Sequence, residues 1–577
     1  MKFLGINAGH DSSVCVVDEN GKIEYAVGEE RFNRIKVFQG WPNLALSTIS
    51  PDSYIVAIVN QKKMWKNIQK RYLDLTFGEL IPFFDNYNKR NFRMEIGSRK
   101  RVDAEPILRN KLLNLGIKPH SLSFYDHHFC HASSAYYSSG YKDALVITAD
   151  GAGDGRSASA HSVINGEWTE ISSTSLPNSP GHMYSWATRF LGFKINRHEG
   201  KLTGLAAYGD SDNLTSLKNK LLIYSKNAES FRNPYLKRNV KNYFSLRKLN
   251  SYVKGKPYFP SYESFRSTII EESKGNYKDE DIAALAQEEL EKSVTEWIED
   301  LVEKTGLYNV ALAGGIFANV KLNQRIENIK QIKNIWIFPD MGDGGLSAGA
   351  AYLAKKDDNK AGGVFLKDVY LGPKIVDGEI ERAIEASGIK AKKSKNITKE
   401  TAEMMSNRKI VGWFQGRMEY GPRALGNRSI IIHPGDKEIN KIVNSRLKRT
   451  EFMPFAPSVL SEYADELFIN RKKSHHASEF MTITYNVNKE WIDKISAVVH
   501  VDNTARPQVV TKESNALYWE VIDEFRKITG IPVIVNTSFN MHEEPIVCSP
   551  DDAIRSFTKG AVDVLVLGDY ILKKEDL

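Results

Sequence analysis

Three histidines fall within five residues in Asp126-His127-His128-Phe129-Cys130-His131. Residues four apart share a helix face, so His127 and His131 could present two imidazole nitrogens to one metal ion at roughly 2 Å. His128 and His131, three apart, form a rival pair. Two imidazoles leave a divalent ion short of ligands. Asp150, closing an apolar strand, and Asp343, in Gly342-Asp343-Gly344-Gly345, are the carboxylate candidates. Two histidines with carboxylates suit iron(II), manganese or zinc.

A second concentration of chemistry lies between Gly412 and Arg428, where three arginines (Arg417, Arg423, Arg428) alternate with four glycines. Guanidinium forks grip phosphate or carboxylate bidentately, and glycine lets a ligand approach the backbone. Lys448, Arg449 and Arg506 add cations downstream, so a multiply charged anion is the natural partner. Asn536-Thr537-Ser538-Phe539-Asn540 follows an apolar strand, the place where α/β folds commonly line a site.

These residues need elements to hold them. Lys2 to Asn7 reads as a strand. A small-residue loop, a strand over Val14 to Val17, an Asn20-Gly21 turn and a returning strand over Lys22 to Val27 follow. The same unit recurs from Ala144: a strand, the loop Asp150 to Gly155, a strand over Ser157 to Ile164, the turn Asn165-Gly166 and a return over Trp168 to Ser172. Two such halves facing each other would aim two glycine-rich loops into one cleft, where backbone N–H groups can cradle phosphates. Strand–glycine–helix units after Tyr308 and Ile335 make the class α/β. The polar stretch 357–363 reads as a linker, giving domains over 1–356 and 364–577, while 52–120 and 212–275 read as insertions. The Arg99-Lys100-Arg101 run reads as a solvated helix face.

The 577 residues suit two or three domains, and 41% hydrophobic with 26% charged residues is ordinary for a globular protein. A net charge of +8 attracts small anions, and a nucleic-acid partner is compatible with it but not favoured. Three dispersed cysteines argue against a disulfide framework and a cysteine zinc site. The N-terminus does not read as a signal peptide and no apolar run is long enough to span a membrane, so a cytoplasmic protein is expected.

Taken in order along the chain, the motifs resemble the O-carbamoyltransferase family, of the type of the nodulation protein NodU and the nebramycin and cephamycin carbamoyltransferases. The resemblance rests on Gly9-His10-Asp11-Ser12-Ser13, Glu29-Glu30-Arg31-Phe32-Asn33-Arg34-Ile35-Lys36, the histidine motif, Asp150-Gly151, His198-Glu199-Gly200-Lys201, Ala313-Gly314-Gly315 and Gly342-Asp343-Gly344-Gly345. In the second half it continues through Tyr420 to Ser429, Pro454-Phe455-Ala456-Pro457, Thr504-Ala505-Arg506-Pro507-Gln508 and Asn536 to Asn540. One departure is Met453, where many relatives carry an arginine.

The resemblance implies an N-terminal actin-like ATPase domain, as in tRNA threonylcarbamoyl transferases, and a C-terminal YrdC-like domain. It implies ATP and carbamoyl phosphate as co-substrates and a small-molecule hydroxyl as acceptor. His127, His131, Asp150 and Asp343 would bind Fe(2+) or another divalent metal, and His10 would serve as general base. Lys36, Gly314, Gly315 and Asn319 would hold an adenylate. Arg423, Lys448, Arg449 and Arg506 would hold phosphates, with Asn536 and Ser538 nearby. A homodimer is compatible with this reading. The rivals are a tRNA threonylcarbamoyl transferase-like enzyme and a non-catalytic actin-like nucleotide-binding protein.

Overall fold

A computed structural model describes residues 1–59, 104–237, 260–358, 363–448, 454–471 and 475–576. Arg449, Met453 and the run Arg99-Lys100-Arg101 lie outside the described residues. The first sheet contains β1 (Lys2–Asn7), β2 (Ser13–Val17), β3 (Ile23–Gly28), β4 (Ser53–Val59) and β5 (Lys118–Tyr125). Their order is β3-β2-β1-β4-β5, antiparallel on the hairpin side of β1 and parallel on the other. The second sheet contains β6 (Ala144–Gly153), β7 (Arg156–Ile164), β8 (Glu167–Ser175), β9 (Asn309–Ala313) and β10 (Asn334–Ile337). Read from its hairpin edge its order is β8-β7-β6-β9-β10, the same pattern with the same strand directions.

The two hairpins turn differently. Asn165 (φ 52°) and Gly166 (φ 83°) are both left-handed, as a type I′ turn requires. At the other turn only Gly21 is left-handed, and the Asp18 carboxylate accepts the N–H groups of Asn20 and Lys22.

Helices α1 (His127–Ser139) and α2 (Leu346–Asp357) lie between the sheets and are buried almost all round. They share a core with Phe3, Cys15 and Ile55 of the first sheet and Val146, Ala311 and Trp336 of the second. Two supposed insertions need correction. Strand β4 and the start of β5 fall within 52–120 and build the first sheet. Within 212–275, Leu214, Leu217, Leu221, Phe231, Tyr235 and Phe265 are buried in the largest core cluster. The segment reads as polar because its apolar residues are widely spaced.

The second half is built on an eight-stranded mixed sheet. Its strands are β11 (Lys392–Lys393), β12 (Val411–Phe414), β13 (Arg428–Ile432), β14 (Ala456–Leu460), β15 (Gln508–Val510), β16 (Val533–Ser538), β17 (Val564–Leu567) and β18 (Tyr570–Lys573), in the order β11-β18-β17-β12-β13-β16-β14-β15. The segment after the expected linker runs along the first half: Leu366 N–H donates to Ser138 O at 3.0 Å and Ala26 N–H to Leu371 O at 3.0 Å. Arg417 donates to the carbonyls of Gly372, Leu371 and Glu24, fastening it there.

Candidate functional site

Asp126 caps α1 by accepting from Phe129 N–H at 3.0 Å, and His127 N–H donates to Asp154 Oδ2 at 2.8 Å. One turn on, His131 faces the same way. Their Nε2 atoms lie 3.2 and 3.4 Å from Asp150 Oδ2, and 3.6 and 3.5 Å from Asp343 Oδ1. One potential ligand atom from each of the four residues lies within 4.8 Å of the others. His128 turns away, its Nδ1 2.8 Å from Thr148 Oγ1, so the i,i+4 pair shares the site and the i,i+3 pair does not.

The local fold is shaped around these side chains. A Cβ on Gly153 would overlap the His127 ring, and one on Gly315 would lie 2.9 Å from Asp150 Oδ1. Gly314, at φ 109°, donates to Met341 O at 2.7 Å and ties the loop after β9 to the loop after β10. Asn7, at the end of β1, donates to the carbonyls of His10 (2.8 Å) and Asp343 (2.9 Å). It thereby joins the first glycine loop to the ligand loop. Its type and spacing gave no signal of that role, because its partners lie on a distant loop and on backbone.

The electrostatics are those of a ligand set. Burial works against a charged Asp150, but the His127 and His131 imidazoles outweigh it and hold the carboxyl well below its usual range. Burial also works against a charged His127, yet Asp343, Asp150 and Asp154 push it up to about 9. His131 is fully buried, and neither ring nitrogen has a hydrogen-bond partner. A fully buried imidazole whose Nε2 is aimed between two carboxylates, without a hydrogen bond of good geometry to either, is what a divalent cation would satisfy. The donor set therefore fits a metal.

His10 borders the cluster, with Nδ1 3.0 Å from Asp11 Oδ2. Burial opposes its charge, but Asp11, then Asp343 and Asp150, push it up to about 9. Asn319 caps the helix α3 (Val320–Glu327), and its amide exchanges two hydrogen bonds with Gln287 at 2.9 and 3.1 Å. Lys36 is exposed, and its carbonyl accepts from Arg197 at 3.1 Å. Arg197 and His198 in turn pair with Glu543 of the second half at 2.7 and 3.4 Å.

In the second half the arginine cluster divides. Arg428 is buried, stacks 3.7 Å from the Phe414 ring centroid and donates to the carbonyls of Gln415, Asn427 and Gly416. Arg417 is the strap described above. Both are engaged by backbone carbonyls, which residue type and spacing cannot distinguish from anion sites. Arg423 and Arg506 differ: neither Nε has a hydrogen-bond partner, and among the described residues no carboxylate pairs with either. Burial depresses the guanidinium of each, and the charge of Arg423 further depresses Arg506. Asn536 links the two neighbourhoods, through a backbone carbonyl on one side and a side chain on the other. Its amide donates to Ala424 O at 3.2 Å and to Gln508 Oε1 at 2.8 Å, each bond falling one or two residues from an arginine. Ser538 pairs with Ser429 in the sheet, and Lys448 sits exposed at φ 56° after helix Glu438–Arg446.

Residues 2–352 match the family described as carbamoyltransferase N-terminus, and residues 402–574 match carbamoyltransferase C-terminus. The chain is 33% identical to an uncharacterised protein of Methanocaldococcus jannaschii, covering 99% of each chain. It is 32% identical to an uncharacterised protein of Synechocystis, covering 99% of this chain and 96% of that one. It is also 32% identical to the nodulation protein NolNO of Sinorhizobium fredii, covering 98% of this chain and 79% of the relative. With both family segments matched in order and the relatives aligned along nearly the whole chain, this protein belongs to the carbamoyltransferase family and is an enzyme of that class.

Proposed function

We propose that the chain is an ATP-dependent O-carbamoyltransferase working in two stages, with an actin-like first domain and a YrdC-like second domain. In the second domain, water releases phosphate from carbamoyl phosphate. The carbamate oxygen then attacks the α-phosphorus of ATP, giving carbamoyladenylate and pyrophosphate. In the first domain, an acceptor hydroxyl attacks the carbamoyl carbon and AMP leaves. The acceptor is a small molecule, such as a sugar, an antibiotic or a nucleotide-like compound.

The observation that carries this reading is the Arg423–Arg506 pair. Two partly buried guanidinium groups, each with a buried, unpaired Nε and the charge of one weighing on the other, have no carboxylate partner among the described residues and are costly unless an anion completes them. The anionic co-substrates named by the reading supply that partner.

In the first domain His127, His131, Asp150 and Asp343 would hold Fe(2+) or another divalent ion, which when bound polarises the adenylate and stabilises charge on its oxygens. His10 is oriented by Asp11 through Nδ1, leaving Nε2 to take the acceptor's proton. Its elevated pKa suits a base only when Asp150 and Asp343 are neutralised by a cation, since their charge helps hold the proton on. Lys36, Gly314, Gly315 and Asn319 would contact the adenylate. The backbone at Gly314 and Gly315 is the strongest candidate, because the Asn319 amide is already paired with Gln287.

The reading is tested by incubating the chain with ATP and each donor. Pyrophosphate release that depends strictly on carbamoyl phosphate is expected. Release with threonine and bicarbonate instead would favour a tRNA threonylcarbamoyl transferase-like enzyme, and no release with any donor would reject the two-stage chemistry.

A further inference from the structure

Helix α3 follows the glycines and Asn319 of the first domain, yet its side chains reach into the second. Asn323 Nδ2 donates to Thr482 O at 2.7 Å, and Thr484 N–H donates to Val320 O at 3.3 Å. Lys321 Nζ lies 2.6 Å from Asp502 Oδ2. Asp502 is the centre of a tight turn. Its other oxygen accepts from the N–H of Thr504 at 3.1 Å and from its hydroxyl at 2.6 Å, and lies 3.4 Å from His500 Nδ1. His500 N–H closes the turn onto Thr504 O at 2.8 Å. Two residues beyond Thr504 comes Arg506.

This matters because Arg506 has no carboxylate partner among the described residues and an unpaired Nε. Among the described residues no acidic side chain holds its guanidinium in place, so its aim depends on the backbone that carries it. That backbone is anchored on one side by Gln508, which donates to Leu425 O at 2.7 Å. On the other side it is anchored by the turn gripped from the first domain. A partly buried ion pair with short geometry and further hydrogen bonds on the same carboxylate can hold such a turn, unlike an isolated surface pair.

We propose that Lys321 and Asp502 are positioning residues for carbamoyl phosphate capture: by clamping the turn His500–Thr504 to the first domain they aim Arg506 at the anion. The affinity of the second domain for its anionic co-substrate is then set partly by a residue of the first. The inference rests on the role given to Arg506 under the proposed function.

The test uses the full chain, measuring pyrophosphate release at saturating ATP with carbamoyl phosphate varied. Lys321→Met removes only the arm from the first domain, and Asp502→Asn removes its partner. Each is expected to raise KM for carbamoyl phosphate by about tenfold with kcat within about twofold, and Lys321→Arg should restore most of the loss. The double variant should be no worse than either single one, since both remove the same contact. An unchanged KM in Lys321→Met would overturn the inference. So would a fall in kcat alone in step with loss of folded protein, the mark of a merely structural role. If Asp502→Asn does not fold, Lys321→Met and Lys321→Arg still decide the matter. Absence of pyrophosphate release from the unaltered chain would reject the two-stage reading itself, before any variant is compared.

Discussion

Gly153 and His127 compete for one space: a Cβ on the glycine would lie 2.1 Å from the imidazole Cδ2. The backbone at Gly153 is extended strand that any residue could adopt, so the glycine is required by the ring and not by the turn. Gly153→Ala is expected to push His127 out of the cluster while leaving the fold intact. Metal analysis after dialysis against iron(II) should show binding weakened by about tenfold or more, with an unchanged circular dichroism spectrum. Full metal retention would mean that the ring is not a ligand.

His131→Ala separates the stages. The cluster lies in the first half of the chain and Arg423 and Arg506 in the second, so under the proposed two-stage chemistry the variant should retain carbamoyl phosphate-dependent pyrophosphate release and lose carbamoyl transfer by about a thousandfold. Equal loss of both activities would contradict that division.

Arg506 and Arg428 carry the same group in opposite circumstances. With no carboxylate partner among the described residues, Arg506 should bind inorganic phosphate or pyrophosphate. An anion at about 100 times its Kd should stabilise the native chain by about 2.7 kcal/mol, read as a rise in Tm that Arg506→Met abolishes. Arg506→Ala should also block pyrophosphate release while supplied carbamoyladenylate still reacts. Arg428 satisfies three carbonyls, so Arg428→Met should lower stability by about 3 kcal/mol through unpaired backbone groups, with or without anion.

Glu543 draws Lys194, Arg197 and His198 of the first half onto the second, with His542 beside it. Burial works against its charge, but His198, Lys194 and Arg197 hold the carboxyl down at about 2. A carboxyl depressed on folding contributes stability above its unfolded pKa and loses it as pH falls through the folded value. The gap in Tm between the native chain and Glu543→Gln should therefore be flat from pH 7 to about 5. It should close between about pH 4.5 and 2. A gap that persists at pH 2 would mean that the charge is not what Glu543 contributes.

The sequence exposes what is local. His127 and His131 are legible as a pair because helix periodicity is short-ranged. The doubled strand unit is legible because alternation and Asn-Gly turns repeat within about thirty residues. Asp150 and Asp343 are visible only as carboxylates near glycine, and folding brings them together from β6 and the loop after β10 of one sheet. What stayed hidden is remote. The pairing of the Asn319 amide with Gln287, on another helix, has no signal in the sequence. Arg417 and Arg428 look like anion receptors until carbonyls close around them. The strand order of the eight-stranded sheet pairs β12 with β17, Val411 opposite Val564, and no short-range pattern encodes that.

The stretch that fastens along β3 sets a limit on dissecting the chain. Leu371 accepts the Ala26 N–H, and Arg417 binds Glu24, Leu371 and Gly372 together. A fragment stopping before residue 363 would keep its fold-defining strands but bare the outer edge of a hairpin, leaving backbone donors open to pairing with another molecule. The polar stretch is therefore not a safe place to cut. Separately produced halves should self-associate unless the first retains residues through Gly372.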